Sequence, residues 1–123
     1  NNKMEWIKIA AQLIIAVSIF NVWLLRFGKP TSWRGGAAKS MKEEFEVYGL
    51  PDWFMKLIGA LKLILATLLI AGIWLPTLIT PAALGMAILM LGAIVMHFKV
   101  KDAQLKSLPA FTFLVLSLIL IFA

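Results

Sequence analysis

Four runs of apolar residues divide the chain, at about 7–25, 54–75, 78–98 and 108–123. A helix needs about 20 apolar residues to cross about 30 Å of hydrocarbon. None of the runs alternates at period two, as the strands of a membrane barrel would. The expected fold is all-α, a transmembrane four-helix bundle running up-down-up-down as a single domain over 1–123. Gly28 and Pro30 stop the first run, Pro51 precedes the second with Asp52 as its N-cap, and Pro76 ends it. Thr80-Pro81 reads as N-cap and first position of the third helix, and Ser107 as cap of the fourth with Pro109 in its first turn. The short, uncharged stretch from Pro76 to Pro81 makes the second and third helices antiparallel neighbours. The first run lacks small residues spaced for cleavage, so it is expected to be a retained anchor rather than a leader.

Between the first two runs a different period takes over. Ala38, Met41, Phe45 and Tyr48 recur at helical spacing and Gly49 follows as a stop. Lys39/Glu43 and Lys42/Glu46 are i,i+4 pairs of opposite sign. This is the pattern of a short amphipathic helix, lying in the interface plane or tucked over the mouth of the bundle. Tryptophans supply a second register. Trp6 and Trp74 mark one membrane boundary, Trp23 and Trp53 the other.

Composition removes the soluble classes. Of 123 residues, 62% are hydrophobic and 15% charged, against roughly 45–50% apolar in a soluble domain. With no cysteine there is no disulfide framework, thiol redox chemistry or thiolate metal site. The net charge of +6 belongs to loops facing anionic headgroups rather than to nucleic acid. Arg26, Lys29, Arg34, Lys39, Lys42, Lys56, Lys99, Lys101 and Lys106 gather at one end, against Lys3 and Lys8 at the other. The positive-inside rule then puts both charged connections in the cytoplasm and both termini outside, as in a bacterial inner-membrane protein.

Candidate chemistry is sparse. Lys62 lies about 7–8 Å inside the second run at 1.5 Å per residue, where a charge costs about 2.5 kcal/mol or more toward the bilayer centre. It admits three readings: a lysine snorkelling to the headgroups, one paired with a folded-back glutamate or a carbonyl, or a cation facing a ligand. Gly59, Lys62 and Ala66 share a helix face, which turns Lys62 toward the bundle. His97, the only histidine, continues the stripe Met86, Met90, Ala93. It reads first as a hydrogen-bonded interfacial residue; a haem would need a second axial ligand, for which Met90 or Met96 offers little. Asn21 and Ser18 share a face one turn before Arg26, where hydrogen bonding between helices is the plain reading. The topology lets Asn21, Arg26, Lys62 and His97 converge at the charged end, as a pocket for an anionic or carbonyl-bearing ligand such as a lipid headgroup or a quinone. Gly35-Gly36 reads as a flexible turn, and Gly59, Gly85 and Gly92 as helix-packing positions. No nucleophile triad, phosphate loop or metal spacing is present.

The ordered set Tyr48-Gly49-Leu50-Pro51, Ile58-Gly59-Ala60-Leu61-Lys62-Leu63, Leu75-Pro76, Ala82-Ala83-Leu84-Gly85-Met86 and Leu91-Gly92-Ala93-Ile94-Val95-Met96-His97 resembles the DoxX-like family of small four-helix membrane proteins. The resemblance implies a four-helix bundle, with Lys62 and His97 as polar positions and Gly59, Gly85 and Gly92 as packing positions. It implies no single activity. Relatives are associated with a thiosulfate:quinone oxidoreductase, with membrane oxidoreductase complexes that handle oxidative stress, and with receptor assembly. This chain lacks cysteine and any redox-cofactor motif, so catalysis on its own is not expected. The expected role is a non-catalytic membrane subunit or accessory protein that binds a lipid, a quinone-like molecule or a partner protein. The alternatives are a subunit of a quinone-linked oxidoreductase and an assembly factor for other membrane proteins. Expected partners are membrane lipids and a membrane protein or a second copy, with no nucleic acid. No resident cofactor is required, although a quinone is admissible.

Overall fold

The computed structural model describes residues 2–29, 34–102 and 104–123, with no strand among them. Five α-helices follow one another: α1 (Asn2–Phe20), α2 (Met41–Tyr48), α3 (Asp52–Ala71), α4 (Ile79–Lys99) and α5 (Leu108–Phe122). Helix α1 packs against α3 and α5, α3 against α4, and α4 against α5, while α2 lies on α3.

The helices are apolar on the outside. Trp6, Val17, Leu24, Ile64, Ile88 and Phe98 are all more than half exposed, whereas Ala11, Ala16, Ala66, Ala82, Ala83, Gln12 and Ser117 are buried. A water-soluble protein does not carry so continuous an apolar surface. Lipid favours it, because small residues let helices approach and large apolar ones meet acyl chains. Three segments are long and apolar enough to cross a bilayer: Lys3–Leu25, Asp52–Ala71 and Pro76–Lys99. The 15 residues of α5 reach only about 22 Å at 1.5 Å per residue.

Buried polar groups inside the apolar helices bond within the chain. Gln12, 1% exposed, donates at 2.7 Å to the carbonyl of Leu69. That carbonyl lies in the last turn of α3, where helical partners run out. Such a bond between helices in lipid is worth about 0.6 kcal/mol. Ser117 donates back to the Phe113 carbonyl at 2.8 Å.

Helix α1 continues into a π-helical turn, Asn21–Leu25, closed by the Arg26 N–H on the Asn21 carbonyl. This extra-wide turn carries Trp23 inward, which corrects its expected place in an aromatic belt. Trp6, Trp53 and Trp74 are exposed, but Trp23 is 7% exposed and packs on Phe27 and Phe45. Gly59 makes room for the indole, since a Cβ there would stand 2.6 Å from the ring. A Cβ at Gly85 would stand 3.1 Å from Leu65, whereas one at Gly92 would meet nothing within 4 Å. Within this chain Gly92 is therefore not held to glycine by a close approach.

The boundaries also differ in detail. Helix α3 is preceded by Pro51 without a side-chain cap, and Asp52 instead pairs with Lys56 at 3.2 Å. A 3-10 turn, Pro76–Leu78, leads into α4, so Thr80-Pro81 falls inside its first turn. Ser107 stands at the N-cap of α5 but its side chain caps nothing, while Pro109 occupies the first turn. Pro30, the expected stop after α1, lies outside the described residues.

Gly59→Ala is expected to lower stability by about 1–3 kcal/mol through overpacking against Trp23. Gly92→Ala should stay within about 0.5 kcal/mol of the parent. Reversible denaturation in mixed micelles checks both.

Candidate functional site

Helix α2 forms as its sequence directs. Ser40 caps its start by accepting from the Glu43 N–H at 3.2 Å. Gly49, at φ +79°, stops it in the left-handed region that favours glycine. Its buried face is Met41, Phe45 and Tyr48, with Ala38 buried just before it. The helix is tucked against the long helices: Phe45 meets Trp23 edge-on, and the Met41 N–H donates to the Phe27 carbonyl at 2.8 Å. The expected pairs Lys39/Glu43 and Lys42/Glu46 are absent from the ion pairs among the described residues, and the paired carboxylate of α2 is Glu44.

Glu44 stands at the centre of a polar network. One oxygen accepts from Arg34 Nη1 at 3.0 Å and the other from the Tyr48 hydroxyl at 2.7 Å. Arg34 is 3% exposed. It also donates to the carbonyls of Arg26, Phe27 and Lys29, tying the connection after α1 to the foot of α2. Beyond Tyr48 comes His97, its Nε2 3.5 Å from the hydroxyl and its ring edge-on to the phenol. On the far side, His97 Nδ1 lies 2.7 Å from Asp102 Oδ2. The other Asp102 oxygen accepts from the Gly36 N–H at 2.9 Å and has Lys106 at 4.0 Å. Lys99 donates to the Tyr48 carbonyl at 3.0 Å, and Lys106 to the Gly36 carbonyl.

Local backbone geometry creates the His97–Asp102 contact. At the end of α4 the Lys101 N–H bonds the Phe98 carbonyl and the Asp102 N–H bonds the His97 carbonyl, each at 3.0 Å. This two-bond stop brings together the side chains five residues apart that flank it. It needs a left-handed residue in between, and Lys101 supplies it at φ +57°, a conformation costly for a side chain with a Cβ.

Burial alone would raise the Asp102 carboxyl. The bonds from His97 and Gly36 and the nearby charges of Lys106 and His97 outweigh it and hold the group below its ordinary value. Burial, then the charge and bond of Glu44, push the Tyr48 phenol far up, so it keeps its proton. An ionised Asp102 only accepts, so Nδ1 of His97 is the donor in that bond.

The four sequence-predicted site residues separate. Lys62 lies on the inward stripe Met55, Gly59, Ala66, Leu69 of α3, with its Nζ 5.5 Å from the centroid of the Trp23 ring. Glu44 is the carboxylate whose charge acts on it, but no ion pair joins the two among the described residues. Asn21 is half-buried, with no side-chain hydrogen bond to another described residue. Arg26 is exposed and contributes only its backbone carbonyl. The cavities include a groove of about 270 Å³ between Ile94, Phe98, Ser107, Leu108 and Phe111 and a smaller one beside Phe45 and Met55. None of the four lines these two.

Arg34, Glu44, Tyr48 and Asp102 were not singled out as site residues by sequence reasoning. The signal for Asp102 was present: it is the one carboxylate after the only histidine. Gly35-Gly36, read as a flexible turn, holds fixed positions. A Cβ on Gly35 would stand 2.5 Å from the Tyr48 ring, and Gly36 takes φ +55° to aim its N–H at Asp102. No group of three or more metal-ligating side chains occurs among the described residues.

The lowered Asp102 carboxyl makes a definite pH prediction. Its contribution to stability is complete above the ordinary value of 3.8 and is withdrawn as acid carries the pH down through the lowered one. Asp102→Asn should cost about 1–3 kcal/mol at neutral pH and flatten the acid limb of the stability profile, read by denaturation across pH.

Neither a curated protein nor a solved structure matches the chain. The sequence model of the DoxX-like family matches residues 31–120, a stretch that opens at the connection holding Arg34 and takes in α2, α3, α4 and most of α5. The segments that build the polar network thus fall inside the matched region, apart from the end of the α1 segment that supplies carbonyls to Arg34, and the chain belongs to the DoxX-like family.

Proposed function

We propose that this chain is a non-catalytic membrane subunit or accessory protein that binds a quinone-like or lipid carbonyl group beneath α2. The chain in this reading is one membrane domain, a four-helix bundle of α1, α3, α4 and α5 running up-down-up-down. Its lysine-rich connections face the cytoplasm of a bacterial inner membrane, as the charge asymmetry favours.

The observation that carries the reading is the Lys62 ammonium, 5.5 Å over the face of the buried Trp23. An ionisable residue at that depth is a functional position by default. Here it stands beside an aromatic wall of Trp23, Phe27 and Phe45, with α2 as its cover. An amine donates hydrogen bonds to a carbonyl or phosphate oxygen, and flat aromatic faces suit a quinone ring. Among the described residues the buried imidazole and carboxylates nearby are satisfied by one another, which leaves Lys62 as a donor for a guest.

Native mass spectrometry of the protein in mild detergent, with a short-chain ubiquinone or phosphatidylglycerol added, tests this. The parent is expected to retain one equivalent of one of them. Lys62→Met should weaken retention about tenfold, as loss of a charged hydrogen bond of about 1.5 kcal/mol does. A parent that retains neither, or a Lys62→Met variant that retains as much as the parent, overturns the reading.

A further inference from the structure

Each long apolar helix turns a stripe of large side chains outward. On α4 that stripe is wholly apolar from Leu84 through Ile88 and Leu91 to Val95. On α3 and α5 the exposed hydroxyls of Thr67 and Thr112 turn back, each donating at 2.8 Å to a carbonyl of its own helix. Helix α1 differs. Its buried line is Ala11, Ile15, Ala16 and Ile19, and at 100° per residue its opposite face carries Ile7, Ala10, Ile14, Val17 and Asn21. Ile7, Ile14 and Val17 are 48–62% exposed, and Asn21 on the same line is half-buried. It lies inside the apolar segment Lys3–Leu25, and its side chain bonds no other described residue. A carboxamide has two donor hydrogens and an acceptor oxygen, and acyl chains can satisfy neither.

We propose that this face of α1 is where two copies of the chain pack, with their Asn21 amides bonded to each other across a two-fold axis. Direction and complementarity single out a second copy. Chains inserted by one rule share one orientation, so α1 meets α1 only in parallel. A two-fold axis along the membrane normal then sets each seam residue opposite itself at the same depth. A lysine placed so would repel its twin. A carboxamide is its own electrostatic complement: Oδ1 of one copy accepts from Nδ2 of the other, and the axis repeats the bond. The pattern along α1 suits such a pair. Positions 7, 10, 14, 17 and 21 advance by alternate steps of three and four, which keeps one seam toward a parallel partner. Asn21 falls on that seam rather than at its edge, the kind of place where an asparagine fixes register between helices. Ala10 and Val17 are small enough for close approach. The π-helical turn begins at Asn21 and carries Trp23 inward. Leu24 and Leu25, 61% and 70% exposed, remain outside to close the seam at the charged end. Lipid alone covers the apolar residues but leaves the amide without a partner. The pairing goes beyond the ligand reading and does not depend on it, since Trp23 and Lys62 face inward.

The absence of cysteine allows single-cysteine variants of the full chain in vesicles of phosphatidylethanolamine and phosphatidylglycerol. Ala37 is exposed, so donor- and acceptor-labelled Ala37→Cys chains report pairing by energy transfer as the protein is diluted in lipid. Transfer is expected to exceed that of randomly placed chains and to follow a monomer–dimer equilibrium. Adding Asn21→Leu should raise the dissociation constant about eightfold, the size of two hydrogen bonds between membrane helices. Adding Thr67→Val, which removes a hydroxyl that serves its own helix, should leave it unchanged. Cross-linking gives a second readout with the amide intact, which stands even if Asn21→Leu does not fold. Mild oxidation should join Val17→Cys chains into disulfide-linked pairs. It should leave Ile88→Cys chains single, although Ile88 on α4 is as exposed as Val17. Random transfer at every dilution, an Asn21→Leu chain that pairs as tightly as its parent, or equal cross-linking at the two positions overturns the proposal. Ubiquinone retention enters none of these readouts, so failure here is distinct from failure of the ligand reading.

Discussion

A charge buried at the edge of a hydrocarbon slab must find its counterpart within the chain, because neither acyl tails nor bulk water will supply one. Where the apolar helices meet the charged connections, that constraint organises the architecture. Arg34 and Glu44 are brought together at 3.0 Å with side chains 3% and 12% exposed, and His97 and Asp102 at 2.7 Å with side chains 7% and 6% exposed. Tyr48 joins the two pairs. Removing any one partner strands the next, so the line acts as a unit rather than as a sum of contacts. The short helix α2 is held in place by what its inner face carries: Phe45 on Trp23 for apolar contact, Tyr48 and Glu44 for polar ones.

The two ends of the molecule are built differently. Away from the charged connections, helix contacts combine alanines with Ile15, Leu69, Met86 and Leu120 and an amide bond from Gln12. Toward them, Trp23 fills the space that Gly59 leaves open and meets Phe27 and Phe45, and the ionic line lies above it. Lys62 stands where the two layers meet. The left-handed Lys101 belongs to the same economy of form: a glycine would take that turn without cost, yet the turn exists to set an imidazole against a carboxylate.

Much of this was legible in the sequence. Hydrophobic run length marked the membrane helices, and the spacing of Ala38, Met41, Phe45 and Tyr48 marked α2 and its inward face. The resemblance carried by residues 48–97 agrees with the family match. What the sequence hid lies in long-range closure. Asp102 and Gly36 are 66 positions apart, and Tyr48 and His97 are 49, so no local period links them. Trp23 was misplaced because belt tryptophans and buried ones have the same letter; the π turn and the vacancy at Gly59 decide between them. Asn21 and Arg26 share a helix end with the site, but sharing an end is weaker than sharing a face.

The separation of the paired residues has a consequence for biogenesis. Residues from 26 to 48 are synthesised and meet the translocation machinery well before His97, Asp102 and Lys106. A chain halted after α3 has its arginine and glutamate in hand but a phenol without an imidazole and a glycine N–H without a carboxylate. Only emergence of the α4–α5 hairpin supplies both, so the mouth closes last and from the C-terminal side.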